Sequence, residues 1–153
     1  MSEFKESVHY EFLKNCTCCP HQCGVDRTQS NSGFCRTGDS FHVASVCIHR
    51  GEEPMLGGSE GICNVFFSHC NLQCSFCQNY QISGNQSWPV NELTAPDKII
   101  DQITDILKTG INHVGFVSPS HDIPQVKFLI DQIRYRGYNP RFIYNSNGYD
   151  LQS

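Results

Sequence analysis

NVFFSHCNLQCSFC, residues 64 to 77, runs from an apolar segment straight into a cysteine-bearing loop. Asn64 to Phe67 (NVFF) is short, β-branched and aromatic, and reads as a buried strand that feeds directly into Cys70. Downstream, Thr94 followed by Asp97 gives a capping signal, and Pro96 starts a helix. Ile99, Ile100, Ile103, Ile106 and Leu107 fall on one face at helical spacing, and Gly110 supplies the stop. His113 to Val117 (HVGFV) reads as a second buried strand, closed by the turn residues Ser118, Pro119 and Ser120. Val126, Leu129, Ile130 and Ile133 form another helical stripe that ends at Gly137. Arg141 to Tyr144 (RFIY) is a further strand, ending in the turn formers Asn145, Ser146, Asn147 and Gly148.

The order is therefore strand, cysteine loop, helix, strand, helix, strand. Short connections in that alternation predict an α/β fold with parallel strands and right-handed helical crossovers. Ligands in such folds sit at the carboxyl ends of the strands. All three strands run into polar or cysteine-bearing loops, so the loops are expected to share one face.

Upstream, Phe41 to Ile48 (FHVASVCI) fits an additional strand within an N-terminal extension. All ten cysteines lie between Cys16 and Cys77 and the 76 residues after Cys77 have none; the expected division is a Cys-rich N-terminal extension, 1–60, and an α/β part, 61–153, that opens with the cysteine loop. At 153 residues, 39% hydrophobic and 17% charged, the composition is that of a soluble globular chain rather than a disordered one. A formal charge of −4, with Lys and Arg scattered singly, argues against a nucleic-acid-binding surface. No apolar run approaches membrane-spanning length. The first fifteen residues hold no apolar export-signal core, so the expected location is the cytoplasm. Cysteines clustered in a reducing compartment are read first as metal or iron–sulfur ligands.

Cys70, Cys74 and Cys77 have the spacing C-x3-C-x2-C. Three thiolates hold three irons of a 4Fe–4S cube that ordinarily takes four protein ligands, which leaves one iron open. An open metal position is where a substrate or cosubstrate binds. A more distant cysteine, Cys63 or Cys47, could instead supply a fourth ligand and close a zinc or electron-transfer site.

CNLQCSFC resembles the CxxxCxΦC signature of radical S-adenosylmethionine enzymes, with Phe76 at the aromatic position. Most of the chain, roughly residues 16 to 150, resembles the pyruvate formate-lyase activating enzyme-related, PflX-like, branch of that superfamily. The resemblance rests on CCPHQCGVDR, GFC, HRGEEP, FFSHCNLQCSFCQNYQIS, VSPSH and YNSNGYD, in that order. It implies a partial TIM-type (β/α) barrel, of which this chain carries the first three strand–helix units behind its Cys-rich extension. It also implies that Cys70, Cys74 and Cys77 ligate the cube and that S-adenosylmethionine chelates the fourth iron. One electron then yields a 5′-deoxyadenosyl radical that abstracts hydrogen from a substrate. Phe76 is expected near the adenine. An electron donor such as flavodoxin or ferredoxin is implied, and a glycyl-radical protein is the natural guess for a substrate, although this branch need not share it.

Many superfamily members carry a Gly-Gly-Glu-type turn after the second barrel strand, where this chain has Ser118, Pro119, Ser120 and His121. Ser118, Ser120 and His121 stand at the right strand end to hold the cosubstrate, as does Asn145 after the third strand. Plain turns explain them equally well. Cys16, Cys19, Cys23 and Cys35 form a second soft-ligand set suited to zinc or an auxiliary iron–sulfur cluster, with Cys18 a competing ligand. His49, Glu52 and Glu53 could serve acid–base or substrate-binding roles, or form a solvated charged loop. His69, beside the first set, could tune it. Related barrels are longer, so the chain is expected to be a fragment, to be completed by a second chain, or to use a reduced fold. Two alternatives to the radical enzyme stand beside it: a non-catalytic iron–sulfur or zinc protein, and an inactive truncated fragment.

Overall fold

A computed structural model describes residues 2–29, 33–57, 59–86 and 93–151. In chain order the elements are α1 (Ser2–Lys5), β1 (Val43–His49), α2 (Pro54–Gly57), β2 (Ile62–Phe67), α3 (Tyr80–Ser83), α4 (Pro96–Leu107), β3 (His113–Val117), α5 (Ile123–Tyr135) and β4 (Arg141–Asn145). Two 3-10 turns, Tyr10–Leu13 and Arg27–Gln29, precede β1. The chain is α/β, with one mixed sheet in the order β1-β2-β3-β4. As the alternation predicts, β2, β3 and β4 are parallel. The strand of the extension, β1, adds an antiparallel edge against β2.

Strand alternation splits β2 between two environments. Cys63, Val65 and Phe67 face the helices and join the hydrophobic core with Val114 and Phe116 of β3. Ile62, Asn64 and Phe66 line the opposite side. In β1 the pairing register slips between Val43 and Ser45. That extra residue lets Val43, Val46 and Ile48 all reach the core, although their numbers differ in parity.

The helix stripes dock on the core face. Ile99, Ile100 and Ile103 of α4 are at most 1% exposed, and burying each contributes about 1.5–3 kcal/mol. Ile106 and Ile130 lie at the margins, half-buried. Helix α4 starts at Pro96 with Ala95 as N-cap and no side-chain cap, so the expected box between Thr94 and Asp97 does not form. Thr94 lies one position too early. Pro96 has no N–H to satisfy, which lessens the need for a cap. Both helices are followed by glycines in the left-handed region, Gly110 at φ 103° and Gly137 at φ 84°, where a side chain would be strained. At the other end of the chain, α1 places Phe4 against Phe41 and Phe128, with ring centroids 4.9 and 5.2 Å away. No helix among the described residues is long and apolar enough to cross a membrane.

Candidate metal centre

The loop after β2 is held by side-chain amides. The Cys70 N–H donates to Asn85 Oδ1 at 3.1 Å, and Asn85 Nδ2 donates back to the Cys70 carbonyl at 3.0 Å and to the Phe34 carbonyl at 2.9 Å. Gln73 Nε2 donates to the carbonyls of Cys70 and Ser83, while its Oε1 accepts the Asn85 N–H. His69 and Gln73 take left-handed backbone conformations, φ 64° and 53°, which the surrounding bonds must hold in place. A turn closed from the Cys77 N–H to the Cys74 carbonyl places those two cysteines together.

Cys70 is buried, whereas Cys74 and Cys77 are half-buried. Cys70 Sγ accepts the Leu72 N–H at 3.3 Å and the Asn147 side-chain amide at 3.4 Å. Two N–H donors aimed at one sulfur suit a thiolate ligand, and such bonds tune cluster potentials. Three soft ligands on one loop, with a sulfur already solvated by amides, fit an iron–sulfur cluster. Phe76 is 88% exposed beside them and packs into no core.

Asn147 ties the loop after β4 to this one: its amide also donates to Asn71 Oδ1 at 2.7 Å, and Asn71 Nδ2 donates to the Tyr149 carbonyl at 2.8 Å. Asn145 is exposed at the end of β4, and its carbonyl accepts the Ser118 N–H. Ser118 is half-buried at φ 49°. Its neighbours turn inward. Ser120 and His121 are each 1% exposed, with Ser120 Oγ against Tyr144 Oη and His121 Nε2 2.9 Å from the Ser68 carbonyl. Of the four residues expected to hold the cosubstrate at the strand ends, Ser118 is half-buried and Asn145 exposed, whereas Ser120 and His121 are buried. Burial pushes the His121 imidazole below the usual histidine range.

The four cysteines of the second set, Cys16, Cys19, Cys23 and Cys35, border one cavity of about 10 Å³, together with Cys18, His21 and Arg27. Gly33 closes it: a Cβ there would lie 2.7 Å from Cys23 Sγ. Among the described residues, no three His, Cys, Asp or Glu side chains stand in a ready metal-holding group, here or at the loop of Cys70, Cys74 and Cys77. The thiols bond locally instead. Cys16 is pulled below the ordinary thiol range, first by a hydrogen bond from Cys18 and also by the Arg27 guanidinium, and Cys18 is correspondingly pushed up. Cys35 Sγ pairs with Thr37 Oγ1 at 3.1 Å.

The sequence reading missed the centre of this region. Arg27, 1% exposed, donates Nε to the Gly38 carbonyl at 3.0 Å, Nη1 to the His121 carbonyl at 2.6 Å and Nη2 to Asp122 Oδ1 at 2.7 Å. Burial alone would raise the Asp122 carboxyl, but its charged neighbours hold it below the usual carboxylate range. The foremost of those neighbours are His121 and the Arg27 guanidinium, the latter hydrogen-bonded to the carboxylate. The only sequence signal was Arg27 inside CCPHQCGVDR, with nothing to mark a partner 95 positions away. The extension also docks on the first loop through His21, whose Nε2 lies 2.8 Å from the Asn71 carbonyl and whose ring stacks on Phe34.

Cys63 and Cys47, the cysteines that could have closed the first set, stay in the sheet. Cys63 is fully buried in the core, its thiol pushed up to about 12 by that burial, and Cys47 pairs with Asn64 in mid-strand.

An amide-braced loop carrying three thiols at a strand end is compatible with the iron–sulfur class, and the family match assigns the chain to it. Residues 56–153 match the family model described as a 4Fe-4S single cluster domain, and the chain belongs to that family. It is 32% identical over 155 residues to an uncharacterized protein from Methanocaldococcus jannaschii, an alignment covering 96% of this chain and 43% of that protein. The chain thus spans less than half the length of this relative. No solved structure matches the chain.

Proposed function

We propose that this chain is the cluster-bearing part of a radical S-adenosylmethionine protein of the pyruvate formate-lyase activating enzyme-related branch, built on the first units of a partial (β/α) barrel. The observation that carries this reading is the isolation of three thiols: Cys70, Cys74 and Cys77 share one loop at the carboxyl end of β2, while Cys63 and Cys47 are held in the sheet. Those three are the proposed ligands of the 4Fe–4S cluster, and an unligated iron is the position for the amino and carboxylate groups of S-adenosylmethionine. The chemistry such a cluster supplies when reduced is one-electron cleavage of the sulfonium, giving a 5′-deoxyadenosyl radical that takes a hydrogen atom from a substrate. The chain's own residues orient and shield: Asn147 and Leu72 donate to Cys70, Phe76 offers a ring at the loop surface, and Ser118 and Asn145 present polar groups at adjacent strand ends. A flavodoxin- or ferredoxin-type donor would deliver the electron.

The test is anaerobic reconstitution followed by electron paramagnetic resonance with and without S-adenosylmethionine. A changed spectrum on adding it supports the reading. An unchanged one contradicts it and favours a non-catalytic iron–sulfur protein. One contact speaks for that second reading: His21, two residues from Cys19, lies 2.8 Å from the Asn71 carbonyl, which brings the cysteine-bearing extension to the loop.

For the set of Cys16, Cys19, Cys23 and Cys35 the proposed occupant is a single zinc ion. A cavity of about 10 Å³ is close to the room one water-sized probe needs, and a cube is far larger.

A further inference from the structure

We propose that the face of the sheet turned away from the helices is a binding site for an amine, anchored by Glu52. This face opens onto a cleft of about 500 Å³ lined by His49, Glu52, Asn64, Phe66, Gln78 and Asn145, continuous through Glu52, Asn64 and Asn145 with a second space of about 290 Å³. At its centre Asn64 is only 2% exposed, yet it is polar in the middle of a strand. Its Nδ2 donates to Glu52 Oε1 at 2.8 Å. An apolar pair of similar shape would pack there without the desolvation that an amide and a carboxylate suffer.

The backbone is shaped around this pair. Gly115 lies opposite Asn64 in the register of β2 and β3, and a Cβ there would come within 2.2 Å of Asn64 Oδ1. Only glycine leaves room for the amide to stay in the sheet face and hold Glu52. The loop from His49 to Glu53 likewise separates its two adjacent carboxylates: Glu52 is half-buried against Asn64, and Glu53 is exposed outside the cleft.

The lining selects the ligand. Asn64 engages Oε1 of Glu52, whose side chain lines both spaces. Among the described residues, no Lys or Arg lines either space, so a carboxylate or phosphate would meet Glu52 with only the His49 imidazole as a titratable base in the lining. A protonated amine supplies both the charge and the N–H groups. Along β2, Asn64 lies three residues before the strand ends at Phe67, or about 10 Å at the rise of a strand. A ligand anchored at Glu52 therefore reaches the cysteine loop only if it is extended, with the amine at its far end.

This site does not depend on radical chemistry, and its test needs none. Saturation-transfer NMR on the full chain would compare n-butylammonium, 1-butanol and butyrate at millimolar concentration. Saturable binding of the ammonium ion, with no binding of butyrate, is expected. Glu52→Gln, which keeps the side chain's shape and so the fold, should weaken ammonium binding at least tenfold, and Glu53→Gln should leave it within twofold. Butyrate binding as well as the amine, no saturable ammonium binding, an unaffected Glu52→Gln, or an equal loss in Glu53→Gln would each overturn the proposal.

Discussion

Asn147 donates its side-chain amide to the sulfur of Cys70 at 3.4 Å, across 77 positions of sequence. This bond joins the loops after the first and last parallel strands and makes the β4 loop part of the cysteine site. Hydrogen bonds to a cluster sulfur stabilise its reduced, more negative state. Asn147→Ala should therefore retain the cluster but lower its midpoint potential, read by redox titration of the paramagnetic signal. An unchanged potential would show that the bond is incidental.

Each of Cys70→Ala, Cys74→Ala and Cys77→Ala should lose the oxygen-sensitive iron–sulfur chromophore, since one fewer thiol leaves a further iron open. The variant lacking all three should still bind zinc through the N-terminal set. Metal analysis checks both expectations, and retention of four irons in any single variant would remove that cysteine from the ligand set.

Gly33→Ala acts first on the N-terminal set. Its Cβ would meet Cys23 Sγ at 2.7 Å, so the thiol or the backbone must move. Zinc affinity should fall at least tenfold while the iron content stays constant. Equal zinc affinity would place Cys23 outside the site.

Arg27 and Asp122, both with fully buried side chains, form a pair. Removing one partner from such a pair typically costs about 3–5 kcal/mol, because the other charge is left uncompensated. Arg27→Met should destabilise by that order in denaturant unfolding, and Arg27→Met with Asp122→Leu by less than the sum of the single changes. The Asp122 carboxyl titrates below the usual range in the folded chain. Its stabilisation is thus fully present above about pH 4, the unfolded value, and is lost as pH falls through the lower folded value. The stability gap between wild type and Asp122→Asn should narrow below about pH 4. A gap independent of pH would assign Asp122 a purely steric role.

These residues also mark where sequence reading succeeded and where it stopped. Strand β3 was legible to the residue, because HVGFV is a short apolar run between a glycine stop and a proline turn. The parallel order of β2, β3 and β4 followed from alternation with helices. The antiparallel edge β1 and its bulge were not legible, since pairing direction leaves no mark on a single strand. Thr94 illustrates the limit of local signals: a capping pattern was present, and Pro96 started the helix without using it. Ser120 and His121 follow the end of β3, and their burial behind the left-handed turn at Ser118 depends on tertiary packing that the local sequence does not mark. Arg27 with Asp122, Asn64 with Glu52 and Asn147 with Cys70 are contacts between distant segments, and no periodicity encodes them.

The central claim is that an iron of the cluster at Cys70, Cys74 and Cys77 is open to S-adenosylmethionine. The most direct measurement is electron–nuclear double resonance of the reduced, reconstituted chain with the cosubstrate labelled with ¹⁵N at its amino group. The account predicts a ¹⁵N hyperfine coupling to the cluster that disappears when unlabelled cosubstrate replaces it. A cluster with full iron content and no such coupling would contradict the account and identify a closed, four-ligand site.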